Sequence, residues 1–255
     1  MLFRGDFHIH TDFDPVRNYR HGEKPELIAK ALVDSQLDVV AITEHNKVTD
    51  RTFQVKEEIS RLTEGTNREI AVLFGAEISV TFQRYLYHVG YVFEEHFGAG
   101  RLPVLPDPRG NVYDLEDFRK SYKGVAILNH PCLKNNRPPE VTTDFLKSGL
   151  MDGVEILNGS VLSNGASPLI TQEAFDAFLK VKRDGMQLAP IGCSDTHRAA
   201  LIGSVWTEYN SSHPMGIFHA IRSGYDISTK ASPAINRKLK PMVEKAKGIG
   251  RYVKI

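Results

Sequence analysis

The residues most able to do chemistry in this chain are its histidines and carboxylates, and three of them stand together at the start, in MLFRGDFHIHTDF. Side chains of a strand alternate with period two, so Asp6, His8 and His10 are expected on one face and Phe7 and Ile9 on the other. Imidazoles beside a carboxylate form a donor set for a divalent metal. An edge strand with its polar face in water would show the same spacing, so the other His, Asp and Glu residues must decide.

Those residues recur at comparable places. The apolar run VVAIT ends in Glu44-His45, LFGA ends in Glu77, and AILN ends in His130. GVEILN carries Glu155 and Asn158, and IGCS runs into Asp195 and His197. Seven stretches read as strands: residues 2–10, 38–43, 70–79, 124–130, 153–157, 187–194 and 204–209. Helical patterns lie between them at 25–36, 49–62, 142–150, 170–185 and 214–224. This alternation predicts an α/β fold with a parallel sheet. If that sheet closes into a barrel, the C-terminal strand ends converge on one mouth and the scattered polar residues meet there. Titratable groups packed so closely would desolvate or repel one another unless a cation held them.

At 255 residues, with 41% hydrophobic and 25% charged, the chain fits one large soluble domain. No apolar run approaches the roughly 18 residues of a membrane helix, and Arg4 and Asp6 fall where a signal peptide is apolar, so a cytoplasmic protein is expected. Cys132 and Cys193 are too few for a disulfide framework and are expected to be small buried hydrophobes. The stretch from Phe93 to Gly110, rich in Gly and Pro, reads as a surface loop that covers the site. Residues 230–255 hold eight Lys/Arg against Glu244 alone, which leaves +7 there and −6 on residues 1–229.

Taken together, D-x-H-x-H, Thr43-Glu44-His45-Asn46, Gly75-Ala76-Glu77, the Tyr87-His88-Val89-Gly90-Tyr91 run, Asn129-His130-Pro131 and Gly192-Cys193-Ser194-Asp195-Thr196-His197 resemble the PHP family, the polymerase and histidinol phosphatase metallohydrolases. The likeness spans residues 3 to about 225. It implies a distorted (β/α)7 TIM-like barrel over residues 1–229 with a metal site at the C-terminal mouth, followed by a basic extension, 230–255. It also implies two or three divalent ions, Zn, Mn or Fe. By position, His8, His10, Glu77 and Asp195 resemble the ligands of a first metal, and Glu77 bridges to a second held by His88 and His130. His45 and His197 match ligands of a third, which Asp12, Asp14, His21 or Glu44 completes. Glu44 stands where the family more often has Asp, and Asp6 reads as a residue that orients a histidine.

Adjacent dications acidify a bridging water and clamp phosphate oxygens, so the expected reaction is hydrolysis of a phosphoester on a small phosphorylated metabolite or nucleotide. Glu77, Asp195 and His197 are the expected catalytic residues. Arg198, Lys134 and Arg137, just past the metal motifs, are expected to bind phosphate. Tyr85, Tyr87 and Tyr91 read as core in preference to a base pocket. The rival readings are an amidohydrolase, which typically bridges its metals with a modified lysine, a non-catalytic accessory PHP domain, and a nuclease that uses the basic tail. Neither membrane nor nucleic acid is the favoured partner.

The tail gives a direct test. Neutralising Lys238, Lys240, Lys245 and Lys247 is expected to leave turnover of a small phosphomonoester unchanged. Each lost phosphate contact on a nucleic acid would instead remove about 0.7–0.9 from the logarithmic salt slope of oligonucleotide processing. A steep slope that flattens in the four-lysine variant, with negligible monoester turnover, would make the tail a nucleic-acid arm.

Overall fold

The computed structural model describes residues 1–11, 23–98, 100–108, 110–133, 138–163 and 168–237. Its strands are β1 (Leu2–Ile9), β2 (Val39–His45), β3 (Ala71–Phe82), β4 (Tyr85–Phe93), β5 (Gly110–Asn111), β6 (Gly124–Asn129), β7 (Gly153–Asn158), β8 (Ala189–Cys193), β9 (Val205–Asn210) and β10 (Ile227–Ala231). Its helices are α1 (Pro25–Asp34), α2 (Arg51–Thr63), α3 (Val112–Ser121), α4 (Pro139–Lys147), α5 (Gly159–Ser163), α6 (Pro168–Arg183) and α7 (Ile217–Ser223). Pro25 and Pro139 each open a helix at a position whose N–H has no helical partner.

One sheet runs in the order β10-β9-β1-β2-β3-β4-β6-β7-β8, with β5 beside the far end of β3. Strands β1, β2 and β3 are mutually parallel, as are β6, β7 and β8. The sheet curls until Thr196, just past β8, bridges Ile9, and the His10 N–H donates to the Thr196 carbonyl at 2.9 Å. A nearly closed, barrel-shaped α/β fold results, and all seven expected strands are in it.

Three strands were not expected. The sheet is also not parallel throughout: β4 runs antiparallel between β3 and β6, and β9 runs antiparallel to β1. The β3–β4 hairpin closes through Gln83 and Arg84, both left-handed at φ 45° and 66°. A two-residue hairpin turn demands that conformation, yet neither residue is the Gly or Asn that usually announces it. β10 carries the packed structure past residue 229, and Ile235 is buried beside Ala231 and Val205. The rest of the basic tail, from Lys238, lies outside the described residues.

Two apolar layers flank the sheet. Phe7, Val39, Ala41, Leu73, Val125, Ile127 and Ile191 meet one another across the barrel with Phe218 and Ile221 of α7. α7 touches β6, β8 and β9 at once and so plugs one end. On the outside, Ile78 and Val80 of β3 and Tyr87 and Tyr91 of β4 pack with helices α3, α4 and α6. By alternation, Glu77 and His88 face the other way.

Strand β1 departs from simple alternation. Its register with β2 shifts between Asp6 and Ile9, so Phe7 joins the barrel interior while Ile9 packs against α1 and α2. A one-residue bulge re-aims the side chains around it. Phe7 and Ile9 therefore do not share a face, contrary to the period-two expectation. The described part of the 93–110 stretch is likewise not a cover for the mouth: Phe97 stacks edge-on against Phe74 and Phe93 at 5.5 and 5.1 Å, and Leu102 and Leu105 join the outer layer. Cys132 and Cys193 are buried and form no disulfide, as expected. Tyr87 and Tyr91 are core residues whose hydroxyls pair with Thr142 and the Tyr122 carbonyl. No helix among the described residues is long and apolar enough to cross a membrane.

Phe145 of α4 stacks on Phe82 at 4.7 Å and meets Tyr87 at a tilt of 58° and 4.9 Å, within the outer layer. Phe145→Ala is expected to cost about 3–5 kcal/mol in urea unfolding, as large-to-small core changes do. A loss below about 1 kcal/mol would mean that this layer does not hold the hairpin in place.

Candidate metal centre

The strand ends do meet. His8 and His10 leave β1, His45 ends β2, and Glu77 lies inside β3, which runs on past the mouth. His88 is on β4, His130 directly follows β6, Glu155 and Asn158 are on β7, and Asp195 and His197 follow β8. Register sets the neighbours: His45 pairs with Glu77, Glu77 with Gly90, and His88 with Asn129. Gly90 is needed there, because a Cβ on it would stand 2.8 Å from the Asn129 side-chain oxygen. His130 and Asp195 take left-handed φ values of 25° and 48°, an unfavourable conformation that residues at functional sites tolerate when their surroundings fix them.

The donor atoms form a compact group. His8 Nε2 and His10 Nε2 are 3.0 Å apart, and each is 3.4 Å from Asp195 Oδ1. Glu77 Oε1 lies 3.3 Å from His8 Nε2, 3.2 Å from His88 Nδ1 and 2.9 Å from His130 Nε2. Its second oxygen, Oε2, is 2.5 Å from His45 Nδ1 and 3.8 Å from His10 Nε2. His45 Nε2 and His197 Nε2 face each other at 3.4 Å. Three overlapping sets of possible ligands follow: His8, His10 and Asp195; His8, Glu77 and His130; His10, His45 and His197. All eight residues singled out as metal ligands in the sequence are thus brought together.

This spacing fits cations. Two ligand atoms each about 2.1 Å from one ion stand about 3.0–3.4 Å apart at octahedral to tetrahedral angles. The His8, His10 and Asp195 triangle has those edges. Mixed imidazole and carboxylate donors suit Zn²⁺, Mn²⁺ or Fe²⁺.

Around the donors stand residues that aim them. Glu155 Oε1 lies 3.2 Å from His8 Nδ1, and its Oε2 accepts the His130 N–H at 2.7 Å. With Glu155 holding Nδ1, His8 turns Nε2 inward. Asn158 Nδ2 donates to both Glu155 Oε2 and Asp195 Oδ2, and Asn129 Nδ2 lies 3.3 Å from Glu77 Oε1. Asp6 does not orient a histidine ring. Its Oδ1 accepts the backbone N–H groups of Ser194 and His8, which ties β1 to the end of β8, and burial pushes its carboxyl up to about 7. Glu44 accepts from the Thr11 N–H at 2.8 Å and from its hydroxyl, and it belongs to none of the three ligand sets.

The electrostatics are those of a crowded, dry site. Burial opposes charge on His8, but the carboxylates of Asp195, Glu77 and Glu155 outweigh it and raise the imidazole well above its ordinary value. Burial lowers His10 well below, with His45 and His8 adding repulsion. For Glu77 burial pulls upward, and His8, His88 and His130 overcome it to hold the carboxyl well below its ordinary value.

Of the residues expected to bind phosphate, Arg198 is exposed beside the half-buried His197. Lys134 and Arg137 lie outside the described residues, as do Asp12, Asp14 and His21. Sequence reading gave no site role to Asn129, Asn158, Arg51 or Glu23. Arg51 donates to the carbonyls of Thr11 and Glu23, and the Glu23 carboxylate accepts the Ala199 N–H at 2.7 Å, which pins together three segments of the rim.

The sequence matches no protein-family model and no curated protein. Solved structures do share the fold. PsfC from Pseudomonas syringae superposes with a TM-score of 0.57 at 15% identity, over 97% of this chain and 99% of that one. A Bifidobacterium adolescentis protein assigned as a metal-dependent phosphoesterase gives 0.51 at 14% identity, over 92% and 94% of the two chains. An amidohydrolase from Chromobacterium violaceum, with sulfate and no metal, gives 0.50 at 15% identity, over 94% and 96%. At these identities the likeness establishes a shared barrel-shaped α/β fold.

Proposed function

We propose that this chain is a metal-dependent phosphoesterase of the PHP type that acts on a small phosphorylated substrate. The observation that carries the reading is Glu77, whose two oxygens face different donors: His88 and His130, with His8 beside them at 3.3 Å, on one side, and His45 and His10 on the other. A carboxylate so divided is suited to bridge two ions, with His8, His10 and Asp195 completing one and His88 and His130 the other. His45 and His197 form the place for a third. Divalent ions bound there supply Lewis-acid charge and a more acidic water, the requirements for attack on phosphorus. A glutamate bridge in place of a modified lysine sets this donor set apart from the usual amidohydrolase arrangement.

The chain's own residues do the positioning. Glu155 fixes the tautomer of His8, so that its Nε2 lone pair faces the centre. His45 and His197 are the half-buried members of the group, so substrate approaches from their side. With no third ion bound, His197, stacked 4.3 Å from His10, would be placed to move a proton at the leaving oxygen, and exposed Arg198 would take a phosphate oxygen.

Protein purified without chelator is expected to contain at least two transition-metal ions per chain. At a hundredfold excess over Kd, metal adds about 2.7 kcal/mol of stability. For a domain of this size that raises Tm by about 5–10 °C, and the gain is lost on chelation. Acid weakens it, because protons compete for the imidazoles. Metal-loaded protein is then expected to release phosphate from a panel of nucleotides, sugar phosphates and histidinol phosphate. Folded, metal-free protein with full activity, or hydrolysis confined to amides, would overturn the reading.

Matched substitutions locate the bridge. Glu155→Gln is expected to lower metal affinity and turnover by about 10–100-fold, the usual cost of losing a residue that orients a ligand. Glu77→Gln is expected to cost more than that, and to abolish the metal-induced rise in Tm. Equal losses in the two variants would mean that Glu77 does not bridge.

A further inference from the structure

We infer that Asn158 is a positioning residue that makes Asp195 present a single oxygen to the metal centre, a role that rests on the proposed metal-dependent function. Its amide nitrogen lies 2.9 Å from Glu155 Oε2 and 3.0 Å from Asp195 Oδ2. Its oxygen accepts the Val161 N–H at 2.8 Å, which caps the start of α5. That third bond fixes the orientation of the amide: with the oxygen committed to an N–H donor, the nitrogen and its two hydrogens must face the carboxylates. The side chain is 4% exposed, and all its hydrogen-bonding capacity near the site is spent on these two acids.

The arrangement has a specific consequence. Glu155 and Asp195 flank the same imidazole, the first at His8 Nδ1 and the second at His8 Nε2. The second oxygens of the two acids meet at Asn158, and Asp195 Oδ2 stands farther from the nearest donor nitrogen, 4.0 Å from His130 Nε2, than Oδ1 does from His8 and His10 at 3.4 Å. With Oδ2 held by the amide, Asp195 offers only Oδ1 to the space between His8 and His10. Two buried carboxylates brought to one point would repel, and a neutral group with two hydrogens joins them without adding charge. A lysine there would satisfy both acids, but its charge would compete with the metals.

Two roles for Asn158 can be separated, because aspartate caps helices as well as asparagine does but has no hydrogens to give carboxylates. Metal affinity is read by chelator competition with Mn²⁺, beside the thermal unfolding of metal-free protein. Asn158→Asp and Asn158→Ala are both expected to weaken Mn²⁺ binding by about 10–100-fold relative to wild type. Affinity of Asn158→Asp within about twofold of wild type would reduce the residue to a helix cap and overturn the inference. If Asn158→Asp does not fold, Asn158→Ser decides by the same criterion, since serine also caps well but its one hydrogen cannot serve both acids. Absence of Mn²⁺, Zn²⁺ and Fe²⁺ binding alike by the wild type would overturn the metal-dependent function itself, an outcome distinct from an unchanged Asn158→Asp.

Discussion

Everything at the mouth of this barrel answers to one constraint: the Glu77 carboxylate is 1% exposed and must be compensated where it lies. Removing a carboxylate from water costs several kcal/mol even after relaxation, so a lone glutamate here would protonate or unfold the site. The chain compensates with imidazoles from four strands or strand ends, His8, His45, His88 and His130, each within 3.3 Å of a Glu77 oxygen. Imidazoles suit this task because they accept either a proton or a metal at neutral pH. A lysine would commit the site to a permanent charge.

That constraint explains the antiparallel strand. In a βα repeat every strand starts at the far end of the barrel and delivers only its last residues to the mouth. β4 turns straight back from β3, so its first residues lie at the mouth, and His88 enters the site beside Ser79 of β3. Extending β3 past Glu77 lets the hairpin turn clear the site. The outer layer fixes it there, with Tyr87 and Tyr91 of β4 locked by hydroxyl contacts to Thr142 and Tyr122. The inner side is equally tight: Gly90 leaves the room that Asn129 fills beside Glu77.

How much of this was legible in the sequence follows from the range of each signal. Hydrophobic runs that end in His, Glu or Asp are local, and they marked six of the seven expected strands and seven of the eight candidate donors, while His88 came only from the family likeness. The hairpin escaped because Gln83-Arg84 does not look like a left-handed turn, although its backbone is one. The bulge in β1 escaped because nothing in GDFHIH distinguishes a bulged strand from a regular one. Helix α3, just past the Gly- and Pro-rich stretch, escaped although Asn111 and Asp114 form a full capping box. Asn129 and Asn158 stood in these patterns, but their roles escaped for a different reason: an amide has no charge or ligand chemistry to announce it, and its importance appears only beside the carboxylates it meets.

Charge at the site also bears on what it binds. With its imidazoles neutral, the pocket carries three buried carboxylates, Glu77, Glu155 and Asp195, in a body that is already acidic at −6 over residues 1–229. Without metal, protons on the imidazoles offset part of that charge, first on His8, which its carboxylate neighbours hold well above its ordinary value. Two divalent ions would turn the local sum of −3 to +1, and a third would take it to +3. The low dielectric of the walls lets that sign be felt at the mouth. Divalent ions bound in this barrel would thus make the field at its mouth positive. On the proposed function, an anionic substrate approaching past His45 and His197 would meet that positive charge first, with Arg198 exposed beside it at the rim.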